Sequence, residues 1–481
     1  MRTNFLQVNG GEAFWKGKDS RLVALFDDWG EVGKAVNDRL AEGEELAGDG
    51  TAEDWLGLVR ALAKVGATAR PANFGPATFT FLLKSSALRH AGSRASVVTW
   101  CVGRDLPAVA VDIIRRGVDA VARQQALQLA ALKGYELVVE ALLARGEVDA
   151  GADASFALRC ATEHGHTGVV ARLLERSEVD PGASNNHALC AAAAAGFADL
   201  VAMLVETGRV DCAAREHEPL RKAAAGGHLV IVERLLDEDS AGGDELSEVL
   251  VLAARNGHAA VVARLLAADG VDPQSNNGHA LRAASELGHE RTVALLLGAG
   301  IEYESAVYEA AFRLAAGKGH AAIVIQLLRA SNISAIAMND AVVAGASGGF
   351  ADVVRVLLAE VTSVEMLNTA LGQAARRGHA CVVEVLLADE RVDAATSFNA
   401  PLRAAAKAGK LNVVRILLGY DGVDASADND YALRVAVRNN DVELARFLLE
   451  TGTVNVGANY DELLRLRGPS RALRALLLEF R

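Results

Sequence analysis

Six of the eleven histidines hold one position relative to a recurring glycine: His166, His228, His258, His289, His320 and His379 directly follow Gly165, Gly227, Gly257, Gly288, Gly319 and Gly378. A file of imidazoles raises the question of a metal. Spacing argues against one. His258, His289 and His320 are 31 residues apart, and on successive helical layers they would lie roughly 10 Å from one another. The ligands of a single zinc ion each lie about 2.0–2.1 Å from it. These rings are expected to hydrogen-bond backbone groups of turns instead. His164 and His166 are two apart, but no cysteine or carboxylate completes a ligand set around them. His289-Glu290 is followed by Arg291, Thr292 and Val293, so the second histidine of a zinc-protease helix is missing. Gly11 to Lys18 has the outline of a phosphate loop, but five residues separate its glycines and Asp19 stands where Ser or Thr is required. No nucleophile elbow occurs. The expectation is a protein without a catalytic residue, cofactor or metal, and not an enzyme.

What positions the histidines is a repeat. Leu158–Asp180 reads LRCATEHGHTGVVARLLERSEVD, and the pattern returns at Leu189–Asp211, Leu281–Gly300 and Leu402–Asp424. Its glycine stands at 134, 165, 196, 227, 257, 288, 319, 349, 378 and 409, with Asn440 in the same place of one more copy. Seven positions before it comes a leucine in most copies (Leu127, Leu158, Leu189), and four before it a tiny residue throughout (Ala130, Ala161, Gly345). That spacing predicts a leading helix with one narrow apolar stripe that lets neighbouring axes approach closely. Pairs such as Val169-Val170 and Leu173-Leu174 predict a bulkier trailing helix. The glycine is expected to be left-handed, where a Cβ is penalised, and asparagine tolerates the same backbone. Ten positions before it, Ser155, Asn186, Ser247, Asn339, Asn368, Asn399 and Asp430 are expected to cap the leading helix, for about 1 kcal/mol each. A unit this short cannot bury its stripes alone, but stacked copies can. The period therefore predicts a binding scaffold.

Ala253, Ala254, Gly257, His258, Val261, Val262, Leu265 and Leu266 carry a small-small pair, Gly-His, Val-Val and Leu-Leu at fixed offsets. This pattern resembles the ankyrin-repeat family, over Ala126–Leu449 in eleven copies, with weaker flanks at Val97–Gly117 and Tyr460–Arg481. The fold the resemblance implies is an all-α, ankyrin-type helical-repeat solenoid of about 11–13 units with capping helices. The unit departs from the common 33-residue pattern and its Thr-Pro-Leu-His opening. Here the opening is Ala157-Leu158-Arg159 or Pro219-Leu220-Arg221, and the connecting hairpin is shorter, with a VDPxAxxN signature as in Val179–Asn186. Shorter binding fingers are expected.

In such stacks the end of the first helix and the adjoining turns line a concave face. Six positions before the glycine stand Arg159, Arg221, Arg282, Arg313, Arg403 and Arg434. One to two positions before it the early copies are uncharged or mixed, as at Ala194-Ala195 and Ala225-Gly226, whereas the late ones have Arg376-Arg377, Lys407 and Arg438. A basic stripe is expected on copies nine to eleven, made of Arg376, Arg377, Arg403, Lys407, Arg434 and Arg438. It would steer an acidic segment of an as yet unidentified protein partner. The competing use of the arginine column is to cross-link neighbouring helices through ion pairs with loop acids.

Residues 1–95 differ in kind, forming a helical N-terminal cap or a small separate module. Leu22, Phe26, Trp29, Val32 and Val36, and then Trp55, Val59 and Leu62, recur at helical spacing. The array is expected over 96–458 and a C-terminal capping repeat over 459–481. The main functional expectation is a protein-binding adaptor. The alternative gives residues 1–95 an effector role, such as docking a ubiquitin-ligase core, with the array selecting substrates. A net charge of −12 speaks against general nucleic-acid or acidic-membrane binding. No apolar run approaches the roughly 20 residues of a membrane span, and the N-terminal residues lack a secretory pattern. Five irregularly spaced cysteines do not make a disulfide framework, and Cys160, Cys190 and Cys381 are expected to act as small apolar residues within helices. A monomer in the cytoplasm, or also the nucleus, is the resulting expectation.

Overall fold

Leucine and alanine three residues apart leave a helix with one thin sticky edge, so each helix must find a neighbour. The computed structural model describes residues 4–9, 12–16, 98, 101–102, 107–115, 118, 120–146, 148–238, 241–300, 302–454, 463 and 470–480. From residue 107 onward the described chain is an alternation of leading and trailing helices, as the period requires. Ahead of the array lies an element the sequence pattern did not disclose. Strand β1 (Asn4–Asn9) pairs antiparallel with strand β2 (Glu12–Lys16), Phe5 opposite Trp15. The helices expected at 22–36 and 55–62 lie outside the described residues, as does the choice between cap and module.

The chain divides into two compact units, residues 1–223 with 234–239, and residues 224–233 with 240–481. Within the first, the leading helices Ala120–Lys133, Ala152–Glu163 and Ala183–Ala195 pack in sequence order. Within the second, the same holds from Gly243–Arg255 through Ser275–Leu287, Ser305–Lys318, Ala335–Gly348 and Val364–Arg377 to Thr396–Lys407 and Ala427–Arg438. Trailing helices likewise pack on trailing helices, Ala259–Leu266 on Glu290–Gly298 being one example. The tiny residues four before the glycine lie at the heart of this packing: Ala130, Ala161, Ala284 and Ala405 are fully buried. At Gly345 even a methyl group would come within 3.1 Å of Val353 on the trailing helix of the same copy. Bulkier core comes from leucines such as Leu158 and Leu173, also fully buried, at about 1.5–3 kcal/mol for each such side chain.

The repeat glycines close the leading helices as expected, with φ between +66° and +88°. Asn440 takes the same conformation at φ +60°. Gly288 illustrates a second demand, since a Cβ there would stand 2.5 Å from the ring of His320 in the next copy.

Leading helices begin in two ways. Six copies pass through three consecutive left-handed residues: Asp153–Ser155, Ser184–Asn186, Arg215–His217, Asn276–Gly278, Ser397–Asn399 and Asp428–Asp430, with φ between +48° and +60°. Left-handed backbone costs an ordinary L-residue roughly 1–2 kcal/mol, which explains the frequency of Asn and Asp there. Others start directly from an extended residue: Gly243–Arg255, Ser305–Lys318, Ala335–Gly348 and Val364–Arg377. In the last two, Ser334 and Ser363 accept a hydrogen bond from the amides of Ala337 and Met366. Direct starts omit the Val-Asp turn, and the glycine spacing contracts to 30 residues before Gly257 and Gly349 and 29 before Gly378.

The expected caps need correction. The side-chain oxygens of Ser155, Asn186, Ser247, Asn368 and Asn399 accept from the following turn and not from their own helices. Ser155 Oγ accepts the amide of Asp180 at 2.9 Å, and Asn186 Oδ1 accepts that of Asp211 at 3.0 Å. Ser247 serves Asp272, Asn368 serves Asp393 and Asn399 serves Asp424, always 25 residues on. The aspartate then folds its own turn: Asp180 Oδ1 accepts the Gly182 amide at 2.9 Å and Asp211 Oδ1 the Ala213 amide at 3.0 Å. The Val-Asp signature is thus half of a clasp between adjacent copies. Asn339 is followed by a direct start without an aspartate turn.

Candidate functional site

Imidazole N–H groups need acceptors, and in this stack the preceding copy provides them. His166 Nε2 donates to the Leu132 carbonyl at 3.0 Å, His258 to Ala225 at 2.9 Å, His289 to Arg255 at 2.9 Å, His320 to Glu286 at 3.0 Å and His379 to Ser347 at 2.9 Å. The histidine file is a backbone staple, as its spacing implied. An open concavity of about 550 Å³ lies where three such turns meet, lined by His258, Val261, His289, Glu290 and Thr292 among others. Both of its histidines are already engaged with carbonyls, so it offers no convergent acid, base or nucleophile. The thiols are no better placed for chemistry: burial pushes Cys101 up to about 12 and raises Cys160 and Cys190. Cys381, expected to act as a small apolar residue, is exposed on the trailing helix Ala380–Leu387. Among the described residues, no three His, Cys, Asp or Glu side chains converge as metal ligands.

Arginine does two different jobs. One group fastens trailing-helix ends to the copy before: Arg145 donates to the Ile114 carbonyl, Arg176 to Leu143, and Arg209 to Val179. Arg391 donates to Val361 at 2.8 Å and Leu358 at 2.6 Å while gripping Asp389, whose carboxyl it holds below the usual range, chiefly by their side-chain hydrogen bond. These clasps were not read from the sequence, because the arginine sits at different distances from the glycine in different copies. The second group is the column six before the glycine. Arg159, Arg282 and Arg403 donate to carbonyls of their own left-handed turns, at Asp153, Asn277 and Ser397. Arg221 pairs with Glu216 at 3.7 Å. Arg313, whose helix starts directly, pairs with Glu309 at 3.3 Å and with Asp340 of the next copy at 3.7 Å.

The six expected stripe residues therefore fall into two sets. Arg403 and Arg434 are half-buried: Arg403 bridges the Ser397 carbonyl and the Asp428 carboxylate, and the two guanidiniums lie 5.6 and 6.0 Å from the centre of the Tyr431 ring. Arg376, Arg377, Lys407 and Arg438 are exposed at the last turns of three consecutive leading helices, Val364–Arg377, Thr396–Lys407 and Ala427–Arg438. Arg376 donates to Gln373 Oε1 at 2.8 Å. Among the described residues Arg377, Lys407 and Arg438 make no ion pair. The structure thus assembles both the cross-linking and the outward-facing arrangements, in different residues. Sequence reasoning passed over Phe398, 82% exposed in the middle of a left-handed turn. Its signal was a bulky aromatic where the other five turns carry Ala154, Asn185, Glu216, Asn277 and Asn429.

Residues 220–306 and 373–460 match the family model for ankyrin repeats. No curated protein matches the chain. Among solved structures, similarity is found to the ankyrin repeat domain of human ASB11, 24% identical, covering 43% of this chain and 98% of that one, at a TM-score of 0.38. The ankyrin repeat domain of Bcl-3, described as a unique member of the IkappaB family, is 23% identical over 41% of this chain and 96% of its own, at a TM-score of 0.33. The pentatricopeptide repeat protein PPR10 from maize is 15% identical over 88% and 70%, at a TM-score of 0.31.

Proposed function

Because this chain is an ankyrin-repeat protein, built of modules that bind other proteins, we propose that it is a non-catalytic adaptor that holds an acidic protein segment across the leading-helix ends of its last full copies. The observation that carries this reading is the outward set Arg376, Arg377, Lys407 and Arg438, exposed in register in a chain whose net charge is −12. Cations near helix C-termini stabilise the helix itself by about 0.3–1 kcal/mol. That need is general, yet the earlier leading helices meet it with a single cation, as at Lys133, Arg255 and Lys318, or with none, as at Ala194-Ala195 and Ser347-Gly348, whereas Arg376-Arg377, Lys407 and Arg438 stand on three consecutive helices. The late cluster is therefore better accounted for by a partner. Opposite charge on that partner would raise the encounter rate and select its orientation more than its affinity. Arg403 contributes by fixing the turn beneath the binding surface, and Arg434 lies against the Tyr431 ring beside it.

The test is affinity purification with mass spectrometry, comparing the unaltered chain with one carrying Arg376→Glu, Arg377→Glu and Arg438→Glu. The specifically captured protein is expected to disappear from the variant while its helical circular-dichroism melt stays within a few degrees. Capture that survives the three reversals removes the proposal.

A further inference from the structure

A left-handed backbone is least tolerable for a bulky side chain, and an exposed aromatic ring gains nothing from the fold by pointing into water. Phe398 does both, with φ +58° and 82% of its surface exposed. Its own neighbours give no reason for the choice: the middle of the turn is occupied elsewhere by alanine, asparagine or glutamate. Such a local misfit, held in place by a well-built surrounding, is characteristic of binding surfaces.

What surrounds Phe398 identifies the class of ligand. The carbonyl of Ser397, the residue before it, accepts from Arg403 at 3.1 Å, so this guanidinium lies at the base of the turn. Tyr431 of the next copy lies beneath Arg403 and Arg434. Lys407 and Arg438 follow Arg403 and Arg434 by four residues and share their helix faces. Three acids of the same connectors are engaged: Asp428 with Arg403, Asp393 with the Ala395 amide, and Asp424 with the amide and hydroxyl of Ser426. The strip running from Phe398 to Lys407 is thus aromatic at one end and positively charged at the other. At about 1.5 Å per helical residue it is roughly 14 Å long, the reach of about four residues of extended chain.

We propose that Phe398 is the apolar anchor of the binding surface, and that its ligand is an acidic protein segment carrying one aromatic or aliphatic side chain about four residues from its run of carboxylates. This inference rests on the adaptor reading above and adds the apolar contact to it. Interface anchors of this kind dominate affinity when the contact excludes water.

A phage-displayed random peptide library selected on the full chain tests it. Enriched peptides are expected to combine Asp and Glu with one apolar residue at that separation. Selection on Phe398→Asn should retain the acids and lose the apolar preference, and a synthetic peptide from the first selection should bind this variant about tenfold more weakly. Phe398→Leu should recover most of the affinity. Phe398→Asn should melt no lower than the unaltered chain, since asparagine accepts the left-handed turn, so weaker binding is not misfolding. Peptides enriched in acids alone, or an apolar preference that survives Phe398→Asn, overturn the anchor and leave the adaptor reading standing. Peptides that bind equally well to a chain with Arg376, Arg377, Lys407 and Arg438 all changed to Glu overturn that reading and the anchor with it, as does a selection that enriches nothing.

Discussion

Copies that begin through a left-handed turn and copies that begin directly in a capped helix arrive at the same helix pair by different local chemistry. At Ser184–Asn186, an example of the first kind, three unfavourable backbone conformations are accompanied by a side chain that clasps the next copy, Asn186 to the Asp211 amide. In the second, Ser334 and Ser363 cap their own helices at Ala335–Gly348 and Val364–Arg377, and a clasp still follows wherever the next connector carries an aspartate turn, as from Asn368 to the Asp393 amide. The difference teaches that capping and clasping fall to different positions: a serine fifteen before the glycine caps a direct start, while the residue ten before it clasps the next copy when the following connector offers an aspartate turn. Packing against the next helix is common to both.

Substitutions can break or sharpen this contrast. The largest effect should ignore it: Gly288→Val in a turn-led copy and Gly349→Val in a direct one each force a β-branched residue to φ near +80° beneath a histidine of the next copy. Both should lose about 3 kcal/mol in urea unfolding, and unequal losses would mean that the two kinds of copy do not share one hinge. Next, Asn186→Ala removes a clasp and should cost about 2 kcal/mol, with faster hydrogen exchange at the Asp211 amide. Asn339→Ala should cost under about 0.5 kcal/mol, and equal costs would sink the division of labour. Thr292→Val should gain about 1 kcal/mol, because this fully buried hydroxyl in a turn-led copy has no partner, whereas Val353 fills the place in a direct one. A lower melting temperature would show that the hydroxyl is satisfied after all. The smallest effect is a reversal of sign. Ala154→Gly, at φ +55°, should raise stability by about 0.5 kcal/mol, and Ala306→Gly, in a right-handed helix, should lower it by about as much. Shifts in the same direction would contradict the left-handed turn.

The helices, their order and the hinge glycines were legible in the sequence because a leucine, an alanine and a glycine at fixed offsets admit few packings. The clasps were not. A serine or asparagine oxygen before a helix accepts equally well from its own first turn or from a neighbour's amide, and Ser155 and Asn186 look alike under either use. Only the handedness of the turn, which Asp428-Asn429-Asp430 suggests but Arg215-Glu216-His217 conceals, separates the two. At the candidate site, charge and register made Arg376, Arg377, Lys407 and Arg438 visible in advance. The retention of Arg403 by Asp428 and Tyr431 required knowing which copies touch, and the aromatic at Phe398, out of pattern in the sequence, took on meaning from its exposure and backbone.

Each staple and clasp ties a copy only to its immediate neighbour, His320 to Glu286 and Asp424 to Asn399 being examples. Tension applied to one end of such a run has no shared centre to rupture. A single molecule held between an anchored surface and a cantilever should therefore surrender its terminal copy first and lengthen by about 100 Å for every 31 residues released. Its force trace would be a flight of even, shallow steps.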